Sequence, residues 1–114
     1  MLLVEIRQVI TDWGSEIIHN PESRNNQFYQ SFIVLSYCRM LHILHTGRVN
    51  SKRAGAEWAK SNLDPAWTGL IDRTWAGRPN PSTTVRQPAN AKDFAAMLEF
   101  IRYAIDESKR LMPL

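Results

Sequence analysis

The stretch from Asn26 to His45 constrains this chain most. Its apolar residues (Phe28, Tyr29, Phe32, Ile33, Val34, Leu35, Tyr37, Met40, Leu41, Ile43 and Leu44) contain no proline or glycine and are followed by Gly47. Placed at 100° per residue they surround nearly the whole cylinder, the pattern of a helix buried on most sides. One polar wedge remains, formed by Cys38, His42 and His45. Arg39 falls outside it, on the arc of Phe28, Phe32, Leu35 and Ile43. A chain built around such a helix has to supply other helices to cover it.

The flanking segments do so. Leu2 or Leu3, Ile6, Val9 or Ile10, Trp13 and Ile17 recur at steps of three and four, predicting an amphipathic helix over 2–19 that ends at Asn20-Pro21. Ser51 is placed to cap a helix over 52–61, with Ala54, Gly55 and Ala56 permitting close packing and Trp58 as an anchor. Asp64-Pro65 reads as cap and first-turn proline of a helix over 65–76. Residues 77–90, with Pro79, Pro81 and Pro88, read as a loop. Asn90 and Asp93 open a last helix over 91–111, with Phe94, Met97, Leu98, Ile101, Ile105 and Leu111 inward. No strand pattern competes. The expectation is one all-α domain over 1–114, a five-helix, up-and-down-like bundle without a sheet.

Composition bounds the rest. An apolar share of 44% and a charged share of 22% describe a globular chain. No apolar run is long enough for a membrane span, and the N-terminus lacks the pattern of a signal peptide, so a cytoplasmic protein is expected. The start inside an apolar pattern, without a cap, hints at a piece of something longer. The single cysteine, Cys38, excludes an internal disulfide and multi-cysteine zinc patterns. Between Arg39 and Arg86 eight basic residues stand against three acidic ones, whereas the remainder holds six against eight. That basic middle suggests an anionic partner.

Two features sharpen this suggestion. An arginine on an apolar arc needs an anion, either a carboxylate from another helix or a ligand's phosphate or carboxylate. Lys52 and Arg53 put two cations in a first helical turn, where the helix dipole disfavours them by about 0.3–1 kcal/mol each. With the free amides of that turn they would make an anion site; the alternative is that both side chains simply extend into water. Arg39 and Lys52 are separated only by a helix end and a turn, so their convergence is expected. His42 and His45, with no further ligand, give no expectation of a metal site. Trp13, Trp58, Trp67 and Trp75 read as core or rim packing rather than base-stacking platforms, and Cys38 as an inert, half-buried thiol. There is no phosphate-binding GxxxxGK[ST] loop, no nucleophile elbow and no metal-holding carboxylate pair, so no catalytic residue is expected in this chain.

The run Val34-Leu35-Ser36-Tyr37-Cys38-Arg39-Met40-Leu41, the turn Thr46-Gly47, and Ser51-Lys52-Arg53-Ala54-Gly55-Ala56-Glu57-Trp58-Ala59 resemble the C-terminal helical domain of aminoglycoside nucleotidyltransferases of the streptomycin/spectinomycin adenylyltransferase kind. The resemblance covers about residues 28–105. It implies that Arg39 and Lys52 bind ATP phosphates. It also implies that Mg²⁺ and most of the ATP are held by an N-terminal nucleotidyltransferase domain, or by a separate catalytic chain, over which this domain closes. Arg53 is a further candidate for the phosphates. Arg78 stands where the family places a tyrosine near ATP. The family's acidic drug-binding residues would fall near Asn25 to Tyr29, where none is acidic, which argues against a streptomycin-type acceptor. Neither a membrane nor a nucleic acid is an expected partner. Two alternatives stand beside this reading. One is a ribonuclease toxin of the higher-eukaryote-and-prokaryote nucleotide-binding kind, whose Arg-x(4–6)-His signature Arg39 and His45 meet. The other is a non-catalytic interaction domain with Arg39 in a structural ion pair.

Overall fold

A computed structural model describes residues 3–24, 27–76 and 91–111. Five α-helices follow in order: α1 Leu3–His19, α2 Gln27–Thr46, α3 Lys52–Asn62, α4 Thr68–Ala76 and α5 Ala91–Leu111. Short 3-10 segments at Pro21–Arg24 and Pro65–Trp67 join them, and no strand occurs among the described residues. The five expected helices are therefore present and the chain is all-α. The expected loop over 77–90, the capping role of Asn90 and the inward side chain of Leu111 lie outside what is described. No helix among the described residues is long and apolar enough to cross a membrane.

The all-round apolar helix α2 is the centre, with α1, α3, α4 and α5 packed on it. Ile33, Val34, Leu35, Tyr37, Cys38, Leu41, Ile43 and Leu44 are all buried. From α1, Ile6, Ile10 and Ile17 face inward, whereas Val9 is left half exposed; of the two residues the spacing allowed, Ile10 faces the core. α5 contributes Met97, Phe100, Ile101 and Ala104, the stripe its period requires. Tyr37 ties α2 to α1 twice: its hydroxyl donates to the Ile10 carbonyl at 2.8 Å and its ring stacks on Trp13 at 5.5 Å.

The start of the fourth helix differs from the sequence reading. Asp64 does cap, accepting from the Ala66 amide at 2.9 Å, but what it opens is the 3-10 turn Pro65–Trp67, and α4 begins only at Thr68. The tighter turn follows from its anchor. The Trp67 ring lies against Phe100 and Tyr103 of α5, and the Tyr103 hydroxyl accepts from the Asp64 amide at 3.1 Å. The Trp67 amide then bonds back to the Asp64 carbonyl, three residues earlier.

Candidate anion site

The turn between α2 and α3 places the site. Gly47 adopts φ +76°, a left-handed conformation suited to glycine, and its amide donates to the Ile43 carbonyl at 2.7 Å. The Thr46 hydroxyl oxygen then accepts from the Arg48 amide at 3.2 Å and from Asn50 Nδ2 at 3.4 Å. Held this way, the chain doubles back beside α2 before α3 starts. Ser51 caps α3 as expected, its Oγ accepting from the Ala54 amide at 3.0 Å.

The two helices advance in the same sense. Lys52 lies beside Phe32, Gly55 meets Arg39, and Trp58 reaches His42 and His45. The Gly55 contact is the tightest: an added Cβ would stand 2.6 Å from the Arg39 Cα and 2.9 Å from its nitrogen. The small residues Gly55, Ala56 and Ala59 are what allow this approach, since all three are buried in the seam.

Arg39 is half-buried, and its Nε is fully buried without a hydrogen-bond partner. The ion pairs among the described residues join Lys60 to Glu57 and Asp72, Arg73 to Asp93 and Arg110 to Glu107; none engages Arg39. Lys52 stands with its Nζ 4.6 Å from the centre of the Phe32 ring. Burial holds its ammonium below the usual lysine range, and the positive charge of Arg39 adds to the effect. The first amides of α3 have no helical acceptor. Lys52, at the start of α3, thus stands near enough to Arg39 for the two charges to repel, and neither takes part in an ion pair among the described residues. Arg53 is exposed, and Arg78 lies outside the described residues.

Beside Arg39 a groove of about 490 Å³ runs between α1 and α2. Its walls are Ile6, Val9 and Trp13 on one side and Met40, Ile43 and Val49 on the other. Ser36, Arg39 and Glu5 supply its polar groups.

The polar wedge of α2 is open only in part: His45 is exposed and His42 half-buried. Cys38 is fully buried rather than half-buried, and burial pushes its thiol up to about 12. Trp58 packs on the other two members, stacking on His42 at 5.3 Å and 11° and tilting against His45 at 5.3 Å. The nature of the neighbouring helix α3 decided this, and the pattern of α2 alone does not carry it. Among the described residues no three potential ligands gather for a metal ion.

His42 carries a pH dependence. Burial holds its imidazole below the usual histidine range, with His45 adding to the effect. Below about pH 6.5 the unfolded chain takes up a proton that the folded one refuses, so stability is full above that pH and falls as the solution is acidified. The melting temperature is expected to drop between about pH 7.5 and about pH 5.5, and His42→Gln to flatten the drop. Equal slopes for the two proteins would show that His42 is not the cause.

The described residues form an all-helical domain in which Arg39, with Lys52 near it, borders an open groove. The family model for the C-terminal domain of aminoglycoside adenylyltransferase matches residues 3–107, and the chain belongs to that family. No curated protein and no solved structure matches it. A C-terminal domain of this family implies an N-terminal catalytic domain as its partner.

Proposed function

We propose that the domain binds the phosphates of ATP through Arg39 and Lys52 and closes the substrate cleft over an N-terminal nucleotidyltransferase domain, or a separate chain of that kind. The observation that carries this reading is the buried, unpartnered Nε of Arg39 beside a lysine that lacks a carboxylate partner. Leaving such a donor unsatisfied costs about 1–3 kcal/mol, and a phosphate oxygen is the acceptor that would recover it. Mg²⁺ would be held by carboxylates of the partner, with ATP in its complex. When ATP is bound there, Arg39 and Lys52 offset the negative charge that gathers on departing pyrophosphate. Arg53, exposed on the same helical turn, supports the potential of the site; Arg78 stays a candidate by position alone.

The alternative readings find less support. His45 packs on Trp58 while Arg39 borders the groove, so no observation favours the ribonuclease pairing. Arg39 forms no ion pair among the described residues, although Glu5 lines the same groove.

An amide NMR titration with ATP or pyrophosphate and Mg²⁺ tests the proposal. Shifts are expected at Arg39 and residues 51–55, and Lys52→Ala should weaken them by about tenfold, the worth of one charge-assisted contact. Absence of shifts at these residues would overturn the reading.

A further inference from the structure

Lys52 and Arg53 are neighbouring cations in the first turn of α3, and they are not placed alike. Arg53 is exposed, whereas Lys52 is half-buried with its Nζ 4.6 Å from the centre of the Phe32 ring. A carboxylate in that place would fix the ammonium and cancel its charge. A ring face fixes it through the aromatic quadrupole and leaves both the charge and the N–H donors for another partner. The ring is what α2 supplies, and Lys52 takes part in no ion pair among the described residues. Phe32 itself is 40% exposed, so burial in the core does not account for its position. Trp13 meets it at 5.7 Å and 72°, edge to face, and stacks in turn on Tyr37 at 5.5 Å and 10°. Tyr37 is wholly buried and anchored by its hydroxyl on the Ile10 carbonyl. A line of ring contacts thus runs from the core out to the ammonium. It acts against burial and the charge of Arg39, which both disfavour the ammonium where it stands. Without the ring, the flexible stem of the lysine would carry its head into water.

We propose that Phe32 is a positioning residue: its ring, braced by Trp13, holds the Lys52 ammonium near Arg39 so that an arriving anion meets a lysine already in place. The inference rests on the reading of Lys52 as a phosphate-binding residue and names the side chain that prepares it. Affinity gains because the rotamer freedom of a long side chain is given up before the ligand arrives.

Substitutions at position 32, followed by NMR, test this. In the unaltered chain the ring current of Phe32 should move the Lys52 ε-methylene protons upfield, and Phe32→Leu should return them to the position of a free lysine. Pyrophosphate affinity is expected to fall about threefold to fivefold in Phe32→Leu, the worth of one cation–ring contact. In Phe32→Glu it should fall by about tenfold, because the new carboxylate occupies the lysine. Phe32→Tyr keeps the ring face and should restore both the upfield position and the affinity. In a Lys52→Ala background Phe32→Leu should cost nothing further, which separates an effect through the lysine from a general disturbance of the fold. Pyrophosphate binding that Phe32→Leu leaves unchanged or strengthens would overturn the positioning role and leave the phosphate reading standing, as would a loss that persists without Lys52. Failure of the unaltered chain to bind pyrophosphate removes both.

Discussion

Gly55→Ala is expected to destabilise the domain by about 2 kcal/mol, although alanine is the better helix former by about 1 kcal/mol. The decision between these opposing effects lies in the neighbour. The new methyl would stand 2.6 Å from the Arg39 Cα and 2.9 Å from its nitrogen, and neither is the free end of a side chain that can swing away. α3 has to withdraw from α2, loosening the seam along Ala56, Ala59 and Trp58. At this size a loss of about 2 kcal/mol lowers the melting temperature by about 10 °C. Withdrawal also carries Lys52 away from Arg39, so pyrophosphate affinity should fall by about tenfold in the same variant. Gly69→Ala is the control: there the new methyl meets the tip of the Arg73 side chain at 3.0 Å, which can move, and stability should stay within about 0.5 kcal/mol. Thermal melts of both variants decide the matter. An unchanged Gly55→Ala melt would mean that the helices tolerate a wider seam than their backbone contact implies.

The second large effect has the opposite sign. Arg39→Met should abolish pyrophosphate binding and stabilise the domain by about 1 kcal/mol. Methionine keeps an unbranched apolar stem on the groove, removes a buried donor without an acceptor, and relieves Lys52 of a neighbouring positive charge. Arginine kept at a cost to the fold is what a binding role requires. Were Arg39 instead one half of a buried structural pair, its loss would cost about 3–5 kcal/mol. A melting temperature that rises, together with loss of the pyrophosphate shifts, supports the ligand role; a fall of several degrees refutes it.

Much of this arrangement is legible in the order of residues because the signals are local. Asn20-Pro21 ends α1, Ser51 caps α3, and the apolar arc of α2 announces a helix with few solvent sides. The position of Arg39 on that arc already marks a group in need of an anion. What stays hidden depends on how one helix crosses another. Whether the Cys38–His42 side of α2 faces water is decided by Trp58, and nothing within α2 specifies that. The resting place of Lys52 over Phe32 likewise needs the backward course of the chain after Gly47, which depends on the Thr46 and Asn50 hydrogen bonds. The 3-10 turn at Pro65–Trp67 reflects the pull of Trp67 toward α5, a tertiary preference superimposed on an ordinary helix-start signal.

The single cysteine sits at the middle of the central helix, wholly enclosed, with its thiol held far from ionisation at neutral pH. An alkylating reagent in solution therefore reacts with it only when the surrounding helices part. The rate of labelling under native conditions becomes a clock for those openings, ticking once for each excursion long enough to admit the reagent. A ligand that holds α3 against α2 slows that clock by the factor of its own binding, so occupancy can be timed at a sulfur atom it never touches.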